Sequence, residues 1–224
     1  MSRSAIFFLL VPAPALGLVL GLLGLETLGD NLLGWVLLLT GVGYSAGAIA
    51  SYWVRKIPFW QAGGRVTSEE KGDRSFWAII PGMLAAFFAP PLEYMYAGAI
   101  LPRLPGMQIA GMVLVILGAT LGIWARSALR GMYSGHVQVT AEQVLMIRGP
   151  YGLVRHPGYT GFLLAALGIA IGYSSLAGLV AIVVLLGPAL AYRIGVEETL
   201  LESRFGDPYR LYQGRVRRLI PGIW

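Results

Sequence analysis

The chain has 224 residues, 56% hydrophobic and only 12% charged, where a soluble domain carries about 25% charged residues. That balance defines a membrane protein and leaves no soluble domain of ordinary size outside the apolar segments. Cysteine is absent, which excludes disulfides, thiolate metal sites and a cysteine nucleophile; the formal charge of +6 reads as basic loops meeting anionic lipid, not as a nucleic-acid surface.

Apolar runs follow in chain order at Ala5–Leu25, Leu32–Val54, Phe76–Ile100, Met107–Trp124, Tyr159–Tyr173 and Leu176–Ala191. The first four are long enough to cross a bilayer as helices. The last two are short, and Tyr173-Ser-Ser175 between them predicts a tight turn, hence a helical hairpin that is tilted or only just spans. The expected fold is an all-α polytopic membrane protein of five to six transmembrane helices. Met1-Ser-Arg3 before an apolar run, with Ala13-Pro-Ala15 after it, has a crude signal-peptide form; a second long span follows at once, so the run is assigned as span one. Glycine pairs Gly17/Gly21, Gly43/Gly47, Gly118/Gly122 and Gly168/Gly172 predict close helix packing. Pro90-Pro91 predicts a break or kink in span three. Glu93 just beyond it is expected near the outer headgroups and not as a buried acid.

Sixteen of the seventeen lysines and arginines fall on one side of this arrangement, and only Arg103 lies opposite, beside Glu26 and Asp30. The positive-inside rule assigns the basic side, with both termini, to the cytoplasm.

The character of the chain changes after Arg126. His136–Val139 and Val144–Ile147 read as extended segments around the polar turn Thr140–Gln143. Then come a dense polar stretch, the hairpin and a polar tail. The expected organisation is a membrane anchor over 1–125 and a cytoplasm-facing catalytic part over 126–224.

The polar stretch is Arg148-Gly-Pro-Tyr-Gly-Leu-Val-Arg-His-Pro-Gly-Tyr-Thr-Gly161. So much polar and conformationally special chemistry beside a bilayer points to a ligand. His156 precedes proline and is pushed toward extended backbone, while Pro157 suits the first position of a helix. His156 therefore belongs at the mouth of span five, either capping it at the headgroup layer or facing an anion at the helix N-terminus. Tyr151 and Tyr159 are either interface-belt aromatics or walls of a pocket able to attract a cation. Arg148 and Arg155 can both be ordinary positive-inside residues, and that is the first reading for Arg148. At the end of span six, Arg193 and Glu197 stand four apart on one helix face, an arrangement that also serves as a plain intrahelical ion pair.

Gly149-Pro-Tyr151 followed by Arg155-His-Pro-Gly-Tyr159 resembles the signature of the isoprenylcysteine carboxyl methyltransferase family, integral-membrane enzymes that use S-adenosylmethionine. The layout after it is similar too: Arg193, the acidic pair Glu197 and Glu198, Phe205-Gly206 and Tyr209. The resemblance covers roughly Trp124 to Pro221. It implies cofactor contacts at Tyr151, His156, Pro157, Gly158, Tyr159, Glu197 and Glu198. A segment before the signature, Gln143-Val144-Leu145-Met146, is implied to lie against the cofactor, with Gln138 upstream. Arg193 is implied to face the methyl acceptor. No metal is expected. The chain departs from the family at Gln143, where a histidine is common, and at Met146-Ile147, where Val-Thr is common. These departures bear on the acceptor.

The reaction implied is an in-line methyl transfer to a lipophilic acceptor such as the carboxylate of a prenylated cysteine. A carboxylate is ionised at neutral pH and needs no base; an amine or thiol would need one, with His156 or His136 available. A phospholipid-amine or thiol methyltransferase and a nicotinamide-dependent membrane sterol reductase remain alternatives. A transporter would place ionisable groups at mid-bilayer, whereas here they cluster at one face.

Overall fold

A computed structural model describes residues 12–55, 66–69, 75–97, 100–129, 138–140 and 144–224. Helix α1 (Pro12–Thr27) turns tightly into α2 (Leu33–Arg55). Helix α3 (Ser75–Leu92) continues as a π-turn over Glu93–Ala97, and α4 covers Pro105–Ala128. A short 3₁₀ turn at Gly149–Gly152 leads to α5 (Pro157–Gly172). Helix α6 covers Leu176–Phe205, passing through a π-turn at Ile182–Leu186, and α7 (Asp207–Arg215) packs beneath its end. The all-helical expectation needs one addition. Strands β1 (Val66–Glu69) and β2 (Gln138–Thr140) form a small antiparallel ribbon, with Val66 opposite Thr140 and Glu69 opposite Gln138.

Among the described residues, three helical stretches are long and apolar enough to cross a membrane: Trp77–Ala97, Pro105–Ala128 and Leu176–Phe205. Helices α1, α2 and α5 contribute shorter apolar stretches. Leu22, Leu39, Ile116, Val183 and Val184 are exposed on these helices, as expected where lipid and not water covers the apolar surface.

Two apolar clusters hold the helices together. Ala86 of α3, Ala166 and Ala170 of α5, and Ile182, Leu186 and Leu190 of α6 form one. Phe87 and Phe162 stack beside it with centroids 5.0 Å apart. Leu33 and Leu37 of α2, Val115 of α4 and Ile169 and Tyr173 of α5 form the other. Helices α4 and α5 cross almost backbone to backbone. A Cβ at Gly161 would stand 2.5 Å from the Gly118 carbonyl, and one at Gly168 would stand 2.6 Å from that of Gly111. Of the glycines singled out for packing, Gly118 and Gly168 therefore act at this crossing, while Gly43 has open space around it.

The end of the bundle away from the basic residues is closed by polar contacts. Thr27 Oγ1 and the Tyr173 hydroxyl are 2.8 Å apart, and Asn31 Nδ2 donates to the Gly172 carbonyl at 2.9 Å. Pro90 and Pro91 do not break α3. The helix passes through them, fully buried, and widens into the π-turn just beyond, where the missing N–H groups disturb the regular ladder. That turn carries Glu93 inward, only 8% exposed, against the expectation that it is not a buried acid. Its carboxylate accepts from Ser175 Oγ at 2.5 Å, Ala177 N at 2.9 Å and Leu176 N at 3.3 Å. Ser175 Oγ in turn accepts from Gly178 N at 2.8 Å. Glu93 and Ser175 together satisfy the orphan N–H groups at the start of α6.

The second arm of the hairpin is longer than the apolar run alone predicts. At 30 residues, α6 measures about 45 Å, well beyond a hydrocarbon core of about 30 Å. Its polar last third therefore continues as helix beyond what a core of that thickness holds and carries Arg193, Glu197 and Glu198 in fixed register.

A polar site where α5 begins and α6 ends

The signature folds as its residue types dictate. Gly149 adopts φ +61, a region open to glycine, and faces the Trp124 ring of α4, which a Cβ added there would meet at 3.8 Å. Pro150 is fully buried, and its carbonyl accepts from Leu153 N and Val154 N. His156 takes φ −123 and ψ 62 as the N-cap of α5, and Pro157 is the first helical residue. The helix start at Pro157 is as expected from the sequence, whereas the His156 ψ of 62 falls short of the extended backbone expected before a proline.

Here α5 meets the projecting end of α6, and two strings of hydrogen bonds form. In the first, Arg193 Nε donates to the Tyr159 hydroxyl at 2.8 Å, and that hydroxyl donates to Glu197 Oε2 at 2.9 Å. Arg193 Nη1 also donates to Ser75 Oγ, at the start of α3, at 3.3 Å. In the second, Glu198 Oε1 accepts from Arg155 Nε at 2.8 Å and stands 3.2 Å from His156 Nε2. Glu198 Oε2 accepts from Arg218 Nε at 2.9 Å, and Arg218 Nη2 lies 2.8 Å away. The strings face each other across a gap. His156 Nδ1 and Glu197 Oε2 stand 3.9 Å apart, and the His156 and Tyr159 rings stack with centroids 5.7 Å apart. The two carboxylates differ in access: the Glu197 side chain is 32% exposed and that of Glu198 is 5% exposed.

The tail is bound into this site. Arg155 N donates to the Arg217 carbonyl at 2.7 Å and His156 N to that of Arg218 at 3.0 Å. Thr160 Oγ1 donates to the Leu219 carbonyl at 2.9 Å. Arg155 Nη1 reaches the carbonyls of Gln213 and Val216. From α7, the Tyr212 hydroxyl donates to the Tyr151 carbonyl at 2.6 Å, and burial pushes that hydroxyl up to about 12. Tyr209 is 1% exposed, and its hydroxyl has no hydrogen-bond partner among the described residues. Burial, followed by the nearby Glu198 charge, raises it well above the ordinary tyrosine range.

The structure thus brings Arg193, Tyr159, Glu197, His156 and Glu198 together. Pro157 is buried beneath them, and Gly158 is exposed with open space where a Cβ would stand. Tyr151 is half-buried and joins the hydrogen-bonded network through its backbone carbonyl. Val144, Leu145 and Met146 form an irregular segment leading into the signature, with Val144 66% exposed. Gln138 lies in β2, with its side chain outside the described set, and Gln143 lies outside the described residues altogether. Ser75, Thr160, Tyr212 and Arg218 were missed in the sequence. Arg218 sits in a run of arginines that reads equally well as a lipid-facing charge patch.

No cluster of three metal-type ligands occurs among the described residues. An open groove of about 400 Å³ runs along α6, lined by Ala191, Tyr192, Gly195, Val196 and Thr199. At 100° per residue these lie on the face of α6 opposite Arg193 and Glu197, so the groove is not part of the polar site.

Helices that cross a membrane and a polar site at one of its faces mark an interfacial membrane enzyme, and its relatives are methyltransferases. The sequence pattern of the phospholipid methyltransferase family matches residues 107–208. A probable protein-S-isoprenylcysteine O-methyltransferase of Oryza sativa subsp. indica is 30% identical over 146 residues, which cover 63% of this chain and 76% of the relative. The protein-S-isoprenylcysteine O-methyltransferase of Schizosaccharomyces pombe is 35% identical over 82 residues, 37% of this chain and 35% of its own. That of Saccharomyces cerevisiae is 30% identical over 149 residues, 66% and 61% of the two chains. The chain belongs to the isoprenylcysteine O-methyltransferase family and is a membrane methyltransferase.

Proposed function

We propose that the protein transfers a methyl group from S-adenosylmethionine to the carboxylate of a prenylated cysteine, on the cytoplasmic face of the membrane. The observation that carries this reading is the Tyr159 hydroxyl, which bridges Arg193 and Glu197. One phenol ties the residue expected to meet the acceptor to the residue expected to meet the cofactor. The residues present suit the cofactor. Glu197 is accessible, Gly158 leaves room, and the gap between Glu197 and His156 offers polar atoms to amino or hydroxyl groups. When bound, S-adenosylmethionine supplies an electrophilic methyl group on a sulfonium.

Arg193 grips the acceptor carboxylate by its planar fork and is itself aimed by Tyr159 and Ser75. The acceptor is already an anion at neutral pH, so no group in the site must remove a proton. The work of the site is alignment and exclusion of water, which contribute several kcal/mol. Residues 126–224 form most of the catalytic part on a scaffold of residues 1–125, with Ser75 reaching in from the scaffold. The match to the phospholipid methyltransferase pattern favours a second reading, methylation of a phospholipid amine.

Calorimetric titration of the detergent-purified protein with S-adenosylhomocysteine, and with NADPH as the control, tests the cofactor. Saturable binding of the former is expected, and Glu197→Ala should abolish it; binding of NADPH alone would replace the proposal with a reductase. The acceptor is tested with labelled methyl donor and farnesylated cysteine or phosphatidylethanolamine. A base-labile product releasing methanol marks a carboxyl ester, whereas a base-stable product on the phospholipid would overturn the carboxylate reading.

A further inference from the structure

Beyond α7 the tail folds into a closed loop. Leu219 N and Ile220 N each donate to the Trp224 backbone oxygen at 2.8 Å, and Ile223 N and Trp224 N donate to the Ile220 carbonyl at 3.1 and 3.2 Å. Pro221 has no N–H to pair. Backbone satisfied internally in this way enters an apolar phase at little cost. Leu219 is buried, while Ile220, Ile223 and Trp224 are exposed on the outside of the loop. Arg215 and Arg217 are exposed just before it and make no ion pair among the described residues. The loop lies at the depth of the membrane helices. Its Leu219 carbonyl accepts from Thr160 Oγ1, in the first turn of α5, at 2.9 Å. One residue on, Gly161 fits between Gly118 and Gly122 of α4, where a Cβ would stand 2.5 Å from the Gly118 carbonyl and 2.9 Å from Gly122 N. Helix α4 continues past Gly122 to Arg126, the basic residue of its last turn, about 6 Å further along the axis. A basic residue ending an apolar helix marks the headgroup level, so the loop sits about one turn on the hydrocarbon side of it.

We propose that residues 215–224 form a membrane foot whose partner is anionic phospholipid. Ile220, Ile223 and Trp224 enter the boundary between headgroups and acyl chains, where tryptophan and amphipathic segments settle. Arg215 and Arg217 lay their stems along that boundary and reach lipid phosphates with their guanidinium groups. A zwitterionic surface balances each phosphate with an ammonium, whereas an anionic one adds a net field that draws cations. Foot and signature are joined through one stretch of backbone. The Arg217 and Arg218 carbonyls accept from Arg155 N and His156 N at 2.7 and 3.0 Å. The Arg218 guanidinium stands 5.7 Å from the Trp224 ring centroid and pairs with Glu198 at 2.8 Å. Lipid that holds the foot down therefore holds the backbone at Arg155 and His156. A tail lifted from the bilayer leaves those two N–H groups without their carbonyls and withdraws Arg218 from Glu198. The inference rests on the membrane placement of the helices and is independent of which cofactor or acceptor the site takes.

The chain has no cysteine, so a spin label can be placed at Ile223→Cys, a position 74% exposed, with Arg204→Cys as the water-side control. The full chain is reconstituted in bilayers of phosphatidylcholine alone and of an equal mixture with phosphatidylglycerol. In the mixture the label at position 223 should collide with oxygen in preference to a water-soluble nickel complex, and the label at position 204 should show the reverse. The ratio of immobile to mobile label at position 223 should rise about tenfold or more from phosphatidylcholine to the mixture, the scale of two basic side chains meeting an anionic surface. Arg215→Gln/Arg217→Gln, which changes only exposed side chains, should erase that rise, as should high salt. Amide exchange of the segment containing Arg155 and His156 should slow in the mixture by a similar factor, and the double variant should remove the slowing. Nickel access at position 223 equal to that at position 204 would overturn the foot. Immersion that is the same in both bilayers would overturn the anionic partner. Exchange at Arg155 and His156 indifferent to lipid charge, with the label responding, would overturn the link to the signature.

Discussion

Tyr159 shows how much one atom can carry in this site. Its hydroxyl accepts from Arg193 and donates to Glu197, so Tyr159→Phe keeps the ring packing and removes a partner from both. The expected outcome is a fall in kcat/KM of about tenfold or more, on the scale of a hydrogen bond to a charged group, with little change in melting temperature. A large loss of stability without a specific kinetic effect would count against the bridging role. The tyrosines of α7 make a contrasting pair. Tyr209 buries a hydroxyl with no partner among the described residues, and such a group costs about 1–3 kcal/mol. Tyr209→Phe should therefore leave the melting temperature unchanged or raise it. Tyr212→Phe gives up a bond to the Tyr151 carbonyl and should lower stability by about 1 kcal/mol. Thermal melts in one detergent decide both. His156, Tyr159 and Glu197 were legible in the sequence because each lies in a local motif. Ser75 and Arg218 were not, because their partners lie 118 and 20 residues away and no local spacing records such a contact.

At the scale of elements, α6 is the part that the sequence understated. The apolar run stops near Ala191, while the helix continues, built from Arg193, Val196, Glu197, Glu198, Leu200, Leu201 and Glu202. Hydropathy reports the solvent around a segment, so it carries no signal for the end of the helix. The other end of α6 depends on a residue whose burial was unexpected. Glu93 takes three donors there, two of them backbone N–H groups. Glu93→Ala would leave those groups buried and unpaired, at a cost of about 1–3 kcal/mol. Glu93→Gln keeps one acceptor oxygen and should lose less. The prediction is a graded fall in melting temperature in the order wild type, Gln, Ala. Cofactor binding at the far end should be preserved wherever the protein stays folded. Equal melting temperatures for all three would mean that the capping contacts contribute nothing.

On the scale of the whole molecule, the polar groups separate to the two ends of the helices. Ser75, His156, Arg193 and the tail gather at one end, and Thr27, Asn31, Glu93 and Tyr173 at the other. Helix α3 begins at Ser75 beside Arg193 and ends at Glu93 beside Ser175. Helix α5 runs the same way and α6 returns. This polarity agrees with the division of basic residues read from the sequence, in which Arg103 stands alone opposite the rest. Arg103 lies over the Tyr94 ring, 4.0 Å from its centroid, at the Glu93 end. The orientation can be tested without disturbing any native thiol, since the chain has no cysteine. Leu104 and Arg204 are exposed at opposite ends of the bundle. With a membrane-impermeant maleimide, Leu104→Cys should label in intact cells and Arg204→Cys only in inside-out vesicles. Labelling of both from the same side would break the assignment of α4, α5 and α6 as three full crossings. Labelling with the sides exchanged would put the site where no cytoplasmic cofactor reaches it, and the positive-inside assignment would fall with it.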